Sequence, residues 1–132
     1  DVRAETRRTP LNIVFTEPQM AMAGASHAEL TSSGAVFAWG EASFADQGRA
    51  RVMGRNQGVI RVYGDRADGR IRGAELFGPD VEHLAHLLAW SIQRGDTVSD
   101  ALACPFYHPV LEEGLRTALQ GLARALRNPA DA

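Results

Sequence analysis

The sequence predicts an α+β domain: an antiparallel β-sheet with helices packed mainly on one face. Three observations carry that prediction. Between residues 11 and 77, β-branched and aromatic segments alternate with Gly, Asn and Asp turn residues. Beyond residue 78, two stretches place apolar residues at helical spacing. The 132 residues, 45% of them apolar, suffice for one domain with a core and fall short of two large ones.

Residues 1–9 are charged and lack a sustained apolar pattern, which assigns 1–9 to a linker or arm, 10–127 to the domain and 128–132 to a C-terminal tail. Residues 11–16 have the apolar and β-branched density of a buried strand, closed by Glu17-Pro18. A short irregular or helical turn is expected through Met20, Met22, Ala23 and Gly24, with the methionines filling gaps in the core. Residues 26–30 read as one further helical turn with His27 exposed. Strands are expected at 35–41, about 42–53, 59–63 and 70–77, with turns at Asn56-Gln57-Gly58 and Ala67-Asp68-Gly69. A meander joins them economically. Ile60 and Val62 alternate with Arg61 and Tyr63, so one sheet face is covered and the other partly wet.

Gly48-Arg49-Ala50-Arg51, with Gly54 and Gly58, lacks the spacing of a phosphate-binding loop and reads as strand bends and turns, although its arginines could meet an anionic group of a neighbouring domain. Gly78-Pro79-Asp80 opens a helix whose stripe is Val81, Leu84, Ala85, Leu88 and Ile92, and Arg94-Gly95 ends it. His83 and His86 stand three apart on that helix, but no companion ligand stands at a metal-site spacing. A short helix over 97–103 follows, capped by Asp96 or Thr97. The last helix is expected from about 109 to 127, with Leu111, Leu115, Ala118, Leu119, Leu122 and Leu126 along one side and Asn128-Pro129 as its stop.

Charge and cysteine content narrow the function classes. Fourteen basic against sixteen acidic residues, with no basic run, argue against nucleic acid as a partner. No run of about eighteen apolar residues is present, so a membrane partner is not expected. The single cysteine, Cys104, excludes an intrachain disulfide and any Cys-x-x-Cys site. A cytoplasmic setting is the expectation, and the start at Asp1 suggests a piece of a longer chain.

The chemistry-bearing stretch is 105–115, which contains His108-Pro109 followed by Glu112 and Glu113. With Pro109 at the first helical position, His108 becomes the N-cap and its imidazole projects from the helix mouth. Helical side chains lean toward the N-terminus, so a carboxylate early in the helix can reach back to one ring nitrogen, fix the tautomer and leave the other nitrogen free. Such a pair can take and return a proton near neutrality. Spacing does not separate Glu113 from Glu112. A capping histidine with acidic residues in the first turn also reads as a plain complement to the helix dipole.

Five motifs then come in a recognisable order: Phe15-Thr16-Glu17-Pro18-Gln19-Met20-Ala21 with Gly24; Gly48-Arg49-Ala50; Asp68-Gly69-Arg70-Ile71-Arg72-Gly73-Ala74; Gly78-Pro79; and His108-Pro109 with Glu113. Over about residues 10–127 they resemble the C-terminal dimerisation domain of pyridine nucleotide–disulfide oxidoreductases, the dihydrolipoamide dehydrogenases most closely. The resemblance implies a homodimer with the active site between subunits, and FAD-binding and NAD-binding domains ahead of this one in the parent chain. It implies that His108 is the catalytic acid/base, that Glu113 rather than Glu112 orients it, that the His108-Pro109 peptide is cis, and that His108 and Pro109 lie near the partner subunit's flavin. His108 would deprotonate a dithiol substrate such as dihydrolipoamide as it attacks the partner's redox disulfide, with electrons passing to FAD and on to NAD+.

The chain itself carries no G-x-G-x-x-G and no cysteine pair, so the fragment alone is expected to bind neither cofactor and to be inactive. Phe106-Tyr107 stands where dihydrolipoamide dehydrogenases commonly carry another histidine, which leaves the dithiol open. A glutathione-reductase-like parent shares the His-Pro-x-x-x-Glu element. A non-catalytic homodimerisation or docking module, with His108 only a helix cap, is the rival from another class.

Overall fold

The computed structural model describes residues 5–128; the rest of the expected arm (1–4) and tail (129–132), including the Pro129 stop, lies outside the described residues. The strands are β1 (Leu11–Val14), β2 (Gln19–Gly24), β3 (Phe37–Ser43), β4 (Val59–Asp65) and β5 (Ile71–Gly78). All their pairings are antiparallel, in the order β1-β2-β5-β4-β3. The meander expected from the turn residues is β3-β4-β5. Its β4–β5 turn is closed where the Asp65 carboxylate accepts the Ala67 N–H at 2.8 Å and the Asp68 carboxylate accepts the Arg70 N–H at 2.9 Å. The β1–β2 hairpin then adds to the free edge of β5, with Ala21 opposite Leu76 and Ala23 opposite Ala74.

Period-2 alternation sorts the strands into two faces. Ala21, Ala23, Ala38, Ala42, Ile60, Val62, Ala74 and Leu76 are buried on one of them. Many of these are alanines, so helices can sit close. α3 (Val81–Arg94) lies on β2 and β5 and buries Val81, Leu84, Ala85 and Leu88; α5 (Glu112–Arg127) lies on β3 and β4 and buries Leu115, Ala118, Leu119 and Leu122. Each such leucine or valine contributes about 1.5–3 kcal/mol by leaving water. α4 (Val98–Ala103) connects the two helices and starts with a capping box in which Thr97 and Asp100 serve each other's backbone N–H.

α1 (His27–Ser32), capped reciprocally by Ser26 and Glu29, packs on the opposite sheet face. Its His27 ring lies 5.5 Å from Phe37, 5.9 Å from Trp39 and 5.8 Å from Tyr63. His27 is therefore half-buried in an aromatic cluster and not exposed as expected. Tyr63, expected on a wet face, is fully buried by the same cluster.

Two element expectations are overturned. The supposed irregular or helical turn at 20–24 is β2: Ala21 and Ala23 point into the core while Met20 points away and is 44% exposed, so Met20 is no core gap-filler. The supposed strand over 42–53 ends at Ser43, and Gly48–Val52 forms the helix α2. The Gln47 side chain accepts the Ala50 N–H and starts that helix, and Gly54 at φ +67° closes it, a local signal stronger than the β-branched residues around it.

Candidate functional site

The loop 104–111 leads from the end of α4 into α5. Its His108-Pro109 peptide is cis, as is Glu17-Pro18. The expectation that His108 caps a helix opening at Pro109 is not met, because α5 begins at Glu112. The backbone N–H of Val110, the residue before the Leu111 cap, is instead taken by Glu113 Oε2 at 3.1 Å. The same carboxylate meets the imidazole: His108 Nδ1 lies 3.0 Å from Oε1 and 2.9 Å from Oε2 of Glu113.

This geometry separates the two glutamates. Glu112 faces a groove with Arg49, Asp80 and His83, while Glu113 holds the imidazole. Val110 beneath the pair is buried, whereas the His108 side chain is 77% exposed. The hydrogen bond from His108, followed by that from the Val110 N–H, holds the Glu113 carboxyl below the usual carboxylate range. A carboxylate kept ionised favours a proton on Nδ1. Nε2, across the ring, is left for another partner.

The loop is supported from behind by a residue that sequence reading passed over. Gln47 Nε2 donates to the Val110 carbonyl at 2.7 Å. The only sequence signal was a polar residue next to a helix-starting glycine, and it fell inside an expected strand. Beside the loop, Leu87 and Trp90 of α3 line an apolar pocket of about 240 Å³ with Cys104, Phe106 and Tyr107. Trp90 and Tyr107 are 57% and 75% exposed, which leaves an apolar rim next to His108.

The other singled-out histidines do not join this site. His83 lies 3.7 Å from Glu82, and His86 meets the Trp90 ring edge-on at 4.9 Å. Among the described residues no three His, Cys, Asp or Glu side chains are grouped to hold a metal ion.

A five-stranded antiparallel sheet with its main helices on one face, carrying a carboxylate-held histidine at the mouth of its last helix, defines a reductase dimerisation domain. Residues 11–119 match the family model of the pyridine nucleotide-disulphide oxidoreductase dimerisation domain, and the chain belongs to that family. It is similar to the dihydrolipoyl dehydrogenase of Haloferax volcanii, 31% identical over 81% of this chain and 22% of the relative. It is also similar to the human mitochondrial dihydrolipoyl dehydrogenase, 26% identical over 81% of this chain and 21% of the relative. Among solved structures, the HOCl-induced flavoprotein disulfide reductase RclA from Escherichia coli superposes with a TM-score of 0.81 at 25% identity, over 86% of this chain and 26% of that one. LpdA from Mycobacterium tuberculosis has the same fold, with a TM-score of 0.81 at 20% identity over 91% of this chain and 26% of that one. The chain thus spans about a quarter of the length of the proteins it matches.

Proposed function

We propose that this chain is the C-terminal dimerisation domain of a dihydrolipoamide dehydrogenase-like disulfide oxidoreductase using FAD and NAD, and that it supplies His108 and Glu113 in trans to the partner subunit. The observation that carries the reading is the Nδ1 contact to Glu113 at 2.9 Å on a histidine whose ring is otherwise open. Family membership and similarity to dihydrolipoyl dehydrogenases support it.

Among the described residues, the turn from β5 into α3 does not fit a nucleotide cofactor. It is the nearest thing to a strand-to-helix phosphate turn, and it is closed by Pro79 and by Asp80, whose carboxylate would repel a pyrophosphate. FAD and NAD are therefore assigned to other domains of the parent enzyme. The chain's own part is proton handling. Nε2 of His108 takes the thiol proton of a dithiol as its sulfur attacks the partner's disulfide, and Glu113 stabilises the resulting imidazolium through Nδ1. The apolar rim of Leu87, Trp90 and Tyr107 beside the loop suits contact with a second subunit.

The test is His108→Gln in the parent flavoenzyme. Dithiol-dependent turnover should fall on the order of 100-fold or more with the dimer intact. Unchanged turnover would leave the chain a non-catalytic dimerisation or docking module. A parent turning over glutathione disulfide in place of dihydrolipoamide would move it to the glutathione-reductase-like branch.

A further inference from the structure

We propose that Gln47 is a positioning residue that holds the Val110 peptide so that Glu113 can keep His108 in a single tautomer. The catalytic part of this inference rests on the function proposed above, while the geometric part stands on its own.

Gln47 is a buried polar side chain, 9% exposed, and both ends of its amide are used. Oε1 accepts the Ala50 N–H at 2.8 Å and caps α2; Nε2 donates to the Val110 carbonyl at 2.7 Å. The amide orientation is unambiguous, because the reverse would set donor against donor and acceptor against acceptor. A helix cap alone does not call for glutamine, since Ser, Thr, Asp and Asn do it at shorter reach. The extra length is what lets one side chain span from α2 to a loop 63 positions away.

Val110 is the hinge of the arrangement. Its carbonyl is held by Gln47, and its N–H is held by the Glu113 oxygen that lies 2.9 Å from His108 Nδ1. Moving this peptide moves the oxygen that sets the imidazole. Pro105, Tyr107, His108 and Pro109 are exposed, and among the hydrogen bonds of the described residues the Gln47 contact is the one tying the loop to the sheet side of the domain. Gly114, next after Glu113, makes room for it: a Cβ there would lie 3.3 Å from Gln47 Cγ and 3.3 Å from Ile60 Cδ1.

Two variants separate positioning from folding. Gln47→Met keeps the length and loses both hydrogen bonds. Gln47→Glu keeps an acceptor for the Ala50 N–H, loses the donor to Val110 and sets a carboxylate oxygen against the Val110 carbonyl. On the 132-residue chain, long-range 1H–15N spectra should show His108 as the Nδ1–H tautomer, assigned by its loss in His108→Gln. Both Gln47 variants should shift the population toward Nε2–H. In the parent flavoenzyme, kcat with a dithiol should fall on the order of tenfold, with KM changed less than about twofold. Folded variants with an unchanged His108 tautomer and kcat would overturn the proposal; should Gln47→Met not fold, Gln47→Glu decides alone. The enzyme reading fails separately, if His108→Gln itself leaves turnover intact, and the tautomer still reports on positioning in that case.

Discussion

Gly40 of β3 and Leu122 of α5 meet backbone to backbone: a Cβ on Gly40 would lie 2.0 Å from the Ala118 carbonyl oxygen and 2.2 Å from the Leu122 amide nitrogen. No side chain can yield at such a contact. Gly40→Ala must lift α5 from the sheet, and α5 carries Glu113 at its other end. The expected loss of stability is about 3 kcal/mol. Gly48→Ala is the control, since open space surrounds that site and alanine favours the α2 helix by up to about 1 kcal/mol. Denaturant unfolding of both variants decides; equal midpoints would mean that α5 is not seated on Gly40.

The Glu113 carboxyl, held low by its hydrogen bonds from His108 and from Val110, makes stability pH-dependent in a definite direction. A depressed folded-state value contributes stability that is fully present above the unfolded carboxyl value of about 4.3 and is lost as pH falls through the folded one. The difference in Tm between the native chain and Glu113→Gln should therefore be fully developed at about pH 5 and shrink below about pH 4. A difference that grows in acid would show that Glu113 is not ionised against these donors.

Part of the sheet was legible in the sequence because turn chemistry is local: Asp68-Gly69 stands between β4 and β5, whereas Asn56-Gln57-Gly58 leads from α2 into β4 and joins no two strands. The α3 and α5 stripes were legible because a helix buries every third or fourth residue. β2 was not, since Gln-Met-Ala-Met-Ala, ahead of Gly24, are good helix formers and only pairing with β1 and β5 makes it a strand. At the site, the His108 and Glu113 pairing was foreseen but the choice over Glu112 came from resemblance. Spacing could not make that choice, because a helix starting at Glu112 differs from one starting at Pro109 by most of a turn. Gln47 escaped notice because its partner lies 63 positions away, a relation that no local pattern records.

Tyr63 donates its hydroxyl to the Glu75 carboxylate, which also accepts the His27 N–H at 3.1 Å and so ties α1 to the sheet. Burial, and then the bond to Glu75, pushes the phenol well above its ordinary value of 10. A raised folded-state value contributes stability present below the unfolded value of about 10 and lost as pH rises through the folded one. Tyr63→Phe should cost about 1.5–3 kcal/mol at neutral pH and reduce the fall in stability above about pH 10. Thermal melts at pH 7 and in the alkaline range measure both effects; a variant with an unchanged alkaline slope would refute the assignment.

Asp80 carries two separable contributions, one from its backbone and one from its side chain. It holds φ +50° at the entrance to α3, where it is the non-glycine residue with positive φ among those described, and its carboxylate lies 3.2 Å from Arg55, which also grips Glu17 at 2.9 Å. The ion pairs are partly exposed, so Arg55→Met should cost no more than about 1 kcal/mol. The left-handed backbone disfavours a Cβ by about 1–2 kcal/mol, which aspartate tolerates better than most residues. Asp80→Ala loses the ion pair and keeps the strain, whereas Asp80→Gly loses the ion pair and relieves the strain. Glycine should therefore be the milder variant by about 1 kcal/mol. If alanine and glycine unfold at the same denaturant concentration, the conformation of Asp80 is set by Arg55 and not by the turn.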